Sequence, residues 1–479
     1  MRKTIIALCA VAIALTSCGD WLDVEPKTYV EEEDLFKNEQ GFKEALTGIY
    51  IAMAETPVYG RELTYGFMDI IAQRYYNDEN SLADYEQETW YTYPSVRTES
   101  YTVNFWNYGY NIIANINNLL QNIEKHGDNI KTAGYHDIIK GEALGLRSFI
   151  YLDLLRMFGP IYKDNASSPA IPYRTAFDRS EKKLLPASQV ADSIIVSLKE
   201  AESLLENDPM NISFPVASDD TSIDPFLNYR FNRMNKYAVK AVMARAYLWK
   251  GDKINAAAKA QEVIDAKKAD GGKRFALVTD NSQDKVCSTE LLFSLSMDSK
   301  TFPDRVESEF MVAMWNYYVL FDVQRLYDIF DIKVDGTNDM RMKEGSGFNI
   351  SSNGAYTLKY SQKNLFSFAI ECQMPLVRLP EMYYILAECT DDLAESARLL
   401  SLVRGSRGVE DLQPFKNEDE RMLNLEKEYR KEFYAEGQLW HFYKRNAYKT
   451  FLNCPISNMQ EANYRFSIPD DEESLGNIH

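Results

Sequence analysis

The chain has 479 residues, 45% of them apolar and 26% charged, which is the make-up of a globular protein able to bury a core without disulfide or metal support. Its 71 acidic and 53 basic residues leave a formal net charge of −18. That balance argues against a nucleic-acid ligand, since binding one relies on Lys and Arg neutralising phosphates.

The first elements are a leader and a cysteine. Arg2 and Lys3 open the chain, and Ile5 to Leu15 form an apolar run too short to span a bilayer but suited to a secretory signal. Residues 1–17 are therefore expected to be removed. A plain signal peptide would leave Cys18 incidental. The sequence Leu15-Thr16-Ser17-Cys18, however, resembles the bacterial lipobox, in which the cysteine is acylated and becomes the mature N-terminus. Acyl chains anchor because each buried methylene contributes about 0.8 kcal/mol. Residues 18–479 are expected to form a single domain that is anchored and does not span, with Trp21 packed against it.

Helical periodicity recurs along the rest of the chain. Residues 105–125 are apolar-periodic and begin with Trp106, read as a packing residue. Ala143, Leu146, Ile150, Leu154 and Met157 line one helix face that Gly159-Pro160 ends. Residues 187–206 are periodic as well. Beyond them, two helical runs are separated only by Gly251-Asp252, a link that fits an antiparallel pair, and Ala241, Ala244, Ala256, Ala257 and Ala260 permit close approach. This stretch resembles a tetratricopeptide repeat. A weaker copy follows, with Ala387 and Ala397 placed much as Ala246 and Ala256 are. In 421–437, Met422, Leu425, Tyr429 and Phe433 form a stripe, and Glu426, Lys427, Glu428, Arg430 and Lys431 are read as a solvated face. The Asn-, Ser-, Asp-, Gly- and Pro-rich stretches 163–186, 207–230, 268–288 and 333–365 read as excursions from one scaffold. The expected fold is mainly α: an α-α superhelix of tetratricopeptide-like helix pairs with loop-rich excursions and a few short strands.

The cysteines and histidines add no expected chemistry. Cys287, Cys372, Cys389 and Cys454 are far apart and lack C-x-x-C spacing, so inert thiols are expected, with one disulfide left open. His126, His136, His441 and His479 form no metal-binding spacing, and no metal or cofactor is expected.

Eight blocks in order carry a family resemblance: CGDWLDVEP, KGEALGLRSFIYLDLLRMFGPI, NKYAVKAVMARAYLWKGD, TELLFSLSM, MPLVRLPEMYYILAEC, LLSLVRGSRG, LEKEYRKEFYAEGQLWHFYKRN and YRFSIPDDE. Together they resemble the SusD/RagB family of Bacteroidota from Cys18 to about Glu473. The resemblance implies an outer-membrane lipoprotein facing the cell exterior, tetratricopeptide-like helices with an irregular ligand-binding part, and a role as lid on a SusC-like TonB-dependent transporter. It implies capture and delivery of an oligosaccharide, or of peptide in some members, without catalysis.

The residues point to a ligand surface independently. Residues 72–108 hold ten aromatics, largely in polar sequence without helical period. A Trp or Tyr ring can cover the apolar face of a sugar while neighbouring polar groups bond its hydroxyls. Trp90, Tyr91, Tyr93, Tyr75 and Tyr76 are the candidate stacking residues, and Arg74, Asn77 and Asp78 are the hydrogen-bonding neighbours. Trp315, Tyr317 and Tyr318 form a second cluster beside Asn316. A glycoside hydrolase would need two carboxylates at a set separation. Acidic residues abound, but no Ser-His-Asp elbow, phosphate loop or metal spacing accompanies them, and no enzyme is expected.

Overall fold

The computed structural model describes residues 32–75, 91, 96–210, 224–311, 322–352, 354–361, 371–470 and 472. The leader, Cys18 and Trp21 lie outside them. The longer helices are α1 (Glu39–Met53), α2 (Val96–His126), α3 (Tyr135–Phe158), α4 (Ala187–Leu204), α5 (Lys236–Lys250), α6 (Lys253–Ile264), α7 (Leu379–Cys389), α8 (Leu393–Ser406), α9 (Glu418–Glu432) and α10 (Leu439–Arg445). Each packs on the next in chain order, from α1 against α2 to α9 against α10. This is the stacked α-α superhelix that the periodicity predicts.

Local chemistry sets the ends of these helices. Asn235 caps α5, its side chain accepting from the N–H groups of Tyr237 (2.9 Å) and Ala238 (3.0 Å). Gly251 closes the same helix in the left-handed region, φ +83°. Asp252 then caps α6 by accepting from Asn255 N–H, so the turn ends one helix and starts the next within two residues. Asp392 does the same for α8 through Ala394 and Glu395. Gly159 ends α3 where the sequence puts it. Close packing also depends on Gly145: a Cβ there would lie 2.5 Å from Met234 and 3.1 Å from Val239, so α3 could not sit as it does against the start of α5.

Ala241, Ala244, Ala256 and Ala260 are sealed inside the α5–α6 pair and its neighbours, while Ala257 is half-buried. Ala387 and Ala397 are buried likewise in the α7–α8 pair. Short strands interrupt the helices. β1 (Pro169–Ile171) pairs with β2 (Leu185–Pro186), β3 (Leu291–Ser296) with β6 (Gln373–Arg378), and β4 (Phe348–Ser351) with β5 (Gly354–Thr357), all antiparallel. The β3–β6 pair joins the α5–α6 hairpin to the α7–α8 hairpin across the loop-rich excursion.

One expectation is reversed. Glu426, Glu428, Arg430 and Lys431 are buried, and Lys427 is half-buried and paired with Asp331 at 2.6 Å. Glu428 bonds Arg341 (2.9 Å) and Arg404 (2.8 Å), and Lys431 pairs with Asp335. The charges of α9 face inward because opposite charges from distant parts of the chain meet them there.

All four described cysteines are free thiols. Burial pushes the Cys372 thiol up to about 11 and the Cys389 thiol up to about 12, which suppresses thiolate chemistry.

Candidate functional site

The two aromatic-rich segments leave and rejoin the described structure at one place. Arg325 Nη2 donates to the Gln73 carbonyl at 3.0 Å, tying positions 252 residues apart. Tyr65 Oη donates to Glu309 (2.6 Å), which also pairs with Arg61 at 3.0 Å. Tyr65 in turn packs on Phe310 and Tyr360, with ring centroids 5.2 and 5.6 Å away. The chain entering segment 76–90 and the chain on either side of segment 312–321 are therefore fixed against one another on an aromatic floor.

A buried carboxylate organises the other side of that floor. Asp69 accepts from the N–H groups of Ala435 (2.5 Å) and Gly437 (2.9 Å), holding the turn between α9 and α10. Burial raises its carboxyl to about 6, against the lowering effect of Arg74 and the two backbone bonds.

Among the predicted ligand contacts, Arg74, Tyr75 and Tyr91 are described, and the structure corrects their role. Arg74 and Tyr75 are each 1% exposed and Tyr91 is 5% exposed. Tyr75 Oη donates to the Tyr65 carbonyl at 2.7 Å and its ring meets Tyr434 edge-on at 5.8 Å. Tyr91 Oη donates to the Ile71 carbonyl (2.9 Å), and its ring stacks on Trp440 at 5.4 Å and 20°. Arg74 donates to the Arg430 carbonyl and lies over the Tyr434 ring at 5.0 Å. These three fasten the ends of the segment to the scaffold, and their burial leaves no face for a ligand. Tyr76, Asn77, Asp78, Trp90, Tyr93, Trp315, Tyr317 and Tyr318 lie outside the described residues. Trp106 packs as expected, edge-on to Phe158 at 5.0 Å.

Two of the open clefts among the described residues combine aromatic and arginine side chains that the sequence does not bring together. One, of about 580 Å³, lies between α2 and the 172–179 loop, with Trp106, Tyr110, Phe177 and Arg174 in its wall. Two of its polar groups are engaged internally: Asn117 accepts from Arg147 (2.9 Å) and donates to the Arg174 carbonyl (3.2 Å), and Arg174 Nη1 donates to the Ser180 carbonyl (2.6 Å). The other, of about 730 Å³, is formed by the end of α1, the 225–233 turn and the connection after β3. Its lining includes Tyr229, Arg233 and Arg305, and the only sequence signal is the interleaving of aromatic, Asn and Arg residues in "PFLNYRFNR". Among the described residues no cluster of His, Cys, Asp and Glu is arranged to hold a metal ion, and no helix is long and apolar enough to cross a membrane.

A stacked-helix scaffold presenting aromatic and polar groups on loops is the build of a binding protein. Residues 20–219 match the SusD-like family described as "Starch-binding associating with outer membrane", and residues 333–474 match the one described as "SusD family". The chain belongs to the SusD/RagB family of carbohydrate-binding, outer-membrane-associated proteins. No curated protein sequence matches it. Solved structures share its fold. A SusD superfamily protein of Bacteroides thetaiotaomicron has TM-score 0.66 and 19% identity, covering 92% of this chain and 98% of that one. A SusD-like carbohydrate binding protein of Bacteroides vulgatus has TM-score 0.68 and 16% identity, covering 92% and 97%. A laminarin-binding SusD-like protein has TM-score 0.63 and 16% identity, covering 91% and 97%.

Proposed function

We propose that this protein captures an oligosaccharide at the outer face of the cell, held there by acyl chains on Cys18, and delivers it to a SusC-like TonB-dependent transporter without catalysing a reaction. The observation that carries the reading is the Arg325–Gln73 tie, which brings the ends of two aromatic-rich segments to one place on the scaffold. Trp90, Tyr76 and Tyr93 on one segment, with Asn77 and Asp78, and Trp315 and Tyr317 on the other, are the proposed glycan contacts. The laminarin-binding relative supports a glycan over a peptide.

Calorimetry across a panel of neutral glycans and peptides tests this. Trp90→Ala or Trp315→Ala is expected to weaken glycan binding by about 1–3 kcal/mol while the thermal midpoint holds. Binding of peptides alone would move the protein to the peptide-importing branch, and release of reducing sugar by purified protein would restore an enzyme reading. Cys18→Ala is expected to appear in the soluble fraction, folded and ligand-competent.

A further inference from the structure

The 730 Å³ groove holds two arginines without acidic partners among the described residues, in a chain where acids outnumber bases. Arg233 lies over the rings of Tyr50 (4.8 Å) and Phe226 (5.4 Å), and its side chain donates no hydrogen bond to any described residue. Arg305 donates to the Thr56 hydroxyl (2.8 Å) and the Gly60 carbonyl (3.2 Å), both neutral, and lies over Phe302. By contrast, the neighbouring Arg230 is paired with both Glu142 and Asp208. Among the described residues, three buried atoms of the groove lining have no hydrogen-bond partner: Arg233 Nη1, Arg305 Nε and Asn228 Oδ1. Two donors and one acceptor left this way are costly unless a ligand engages the groups that carry them.

Tyr229 adds a ring and a sign of constraint. It is half-buried in the groove wall with φ +51° and ψ +47°, a left-handed conformation that a bulky residue rarely takes and that surrounding structure must impose. Two carboxylates also line the groove, yet neither pairs with either arginine. Asp298 is turned onto its own loop, accepting from Lys300 N–H (2.9 Å) and the Thr301 hydroxyl (3.1 Å), while Glu55 is exposed at the rim.

We propose that this groove is a second glycan subsite, selective for a sugar that bears a carboxylate, a uronate. The inference rests on the glycan-capture reading and adds the substrate class. A guanidinium fork matches a carboxylate in plane and charge, the Tyr229 ring offers a face for the pyranose, and Asn228 accepts from a hydroxyl. The volume lies within the range of about 300–1,000 Å³ found for ligand sites.

The test is calorimetry of the full chain with an oligogalacturonide and with its carboxyl-reduced, neutral counterpart. The wild type is expected to prefer the acidic oligomer by about tenfold or more, the worth of a charge-assisted bond. Arg233→Met, Arg305→Met and Tyr229→Ala should each remove most of that preference without lowering the thermal midpoint enough to unfold the chain. Should Arg233→Met fail to fold, the other two variants decide. Equal affinity for both oligomers, unchanged acidic binding in the folded variants, or no acidic binding by the wild type would each overturn the subsite. Neutral-glycan binding that Trp90→Ala lowers and Arg233→Met spares would then show that the capture reading survives. Loss of all glycan binding by the wild type removes both.

Discussion

In the α5–α6 pair the inward positions include Ala241, Ala244, Ala256 and Ala260, whereas in the α8–α9 pair Leu400, Val403 and Leu425 share the interior with Arg404, Glu428, Lys431 and Glu432, and with Arg407 just past the end of α8. Both pairs occupy neighbouring places in one superhelix. The first closes by apolar contact at short range, which small side chains allow. The second adds an ion network: Glu432 meets Arg378 (2.7 Å), Arg407 (2.8 Å) and Arg341 (3.0 Å), and Glu290 meets Arg378 (2.9 Å) and Arg407 (2.8 Å). Burial pushes the Glu432 carboxyl upward, but Arg407, Arg378 and Arg341 hold it well below the usual range. One helix-pair plan thus tolerates two interiors, and they differ in what breaks them. An alanine seam fails when something is added, and a buried ion network fails when something is removed.

The largest expected effect comes from removal. Glu432→Ala leaves Arg378, Arg407 and Arg341 buried with one carboxylate fewer each, and breaking such a pair costs about 3–5 kcal/mol. Denaturant unfolding should register that loss with the wild-type slope. The same network sets the acid limb. The Asp335 carboxyl is lowered to about 2 by Arg404 and Lys431, which overcome its burial. Its folded pKa lies below its unfolded value of about 3.8, so its contribution is present above that value and is lost as pH falls toward 2. Asp69 runs the other way: raised to about 6, it contributes below 3.8 and its contribution fades as pH rises through 6. Stability measured against pH should therefore have a shallower acid limb in Asp335→Asn, with Glu428 and Glu432 still contributing to it, and should flatten between 4 and 6 in Asp69→Asn. If both variants follow the wild-type curve, the two carboxyls do not govern these limbs.

The same contrast explains what could be read in advance. The α5–α6 hairpin is legible because its signals are local: small residues at helical spacing and a Gly-Asp turn. The inward face of α9 is not, since a charged residue is written the same way whether water or a partner receives it. Its partners are remote, with Arg341 91 residues from Glu432 and Asp335 96 residues from Lys431. Distance also hid the role of Arg74, Tyr75 and Tyr91. An aromatic cluster in polar sequence suggests a ligand surface, but Trp440 and Tyr434 arrive from the far end of the chain to cover two of these residues and stack with the third. The uronate groove is assembled from three separate stretches, and nothing in any one of them announces an arginine without an acid.

Addition to the alanine seam should have the next largest effect. Ala244 is wholly buried, so Ala244→Leu forces extra volume into the α5 interface and is expected to cost about 1–3 kcal/mol. The pH curve should keep its shape while its height drops, because no ion pair is touched. A changed acid limb in this variant would mean that the seam and the ion network are coupled, and the contrast between them would fail.

The smallest effect belongs to a turn. Gly251 and Gly437 both have positive φ, +83° and +69°, but their surroundings differ. A Cβ on Gly251 would meet nothing within 4 Å, whereas one on Gly437 would lie 2.3 Å from the Leu63 carbonyl oxygen. Gly437→Ala therefore adds a backbone clash to the conformational cost, in the turn that Asp69 holds. Gly251→Ala carries the conformational cost alone, about 1 kcal/mol for a left-handed non-glycine residue. Denaturant midpoints of the two variants separate the terms: Gly251→Ala should fall slightly, and Gly437→Ala distinctly further. Gly251→Asn should recover part of its loss, since Asn tolerates the left-handed region, and the same replacement at Gly437 should recover nothing, because the clash there is with backbone.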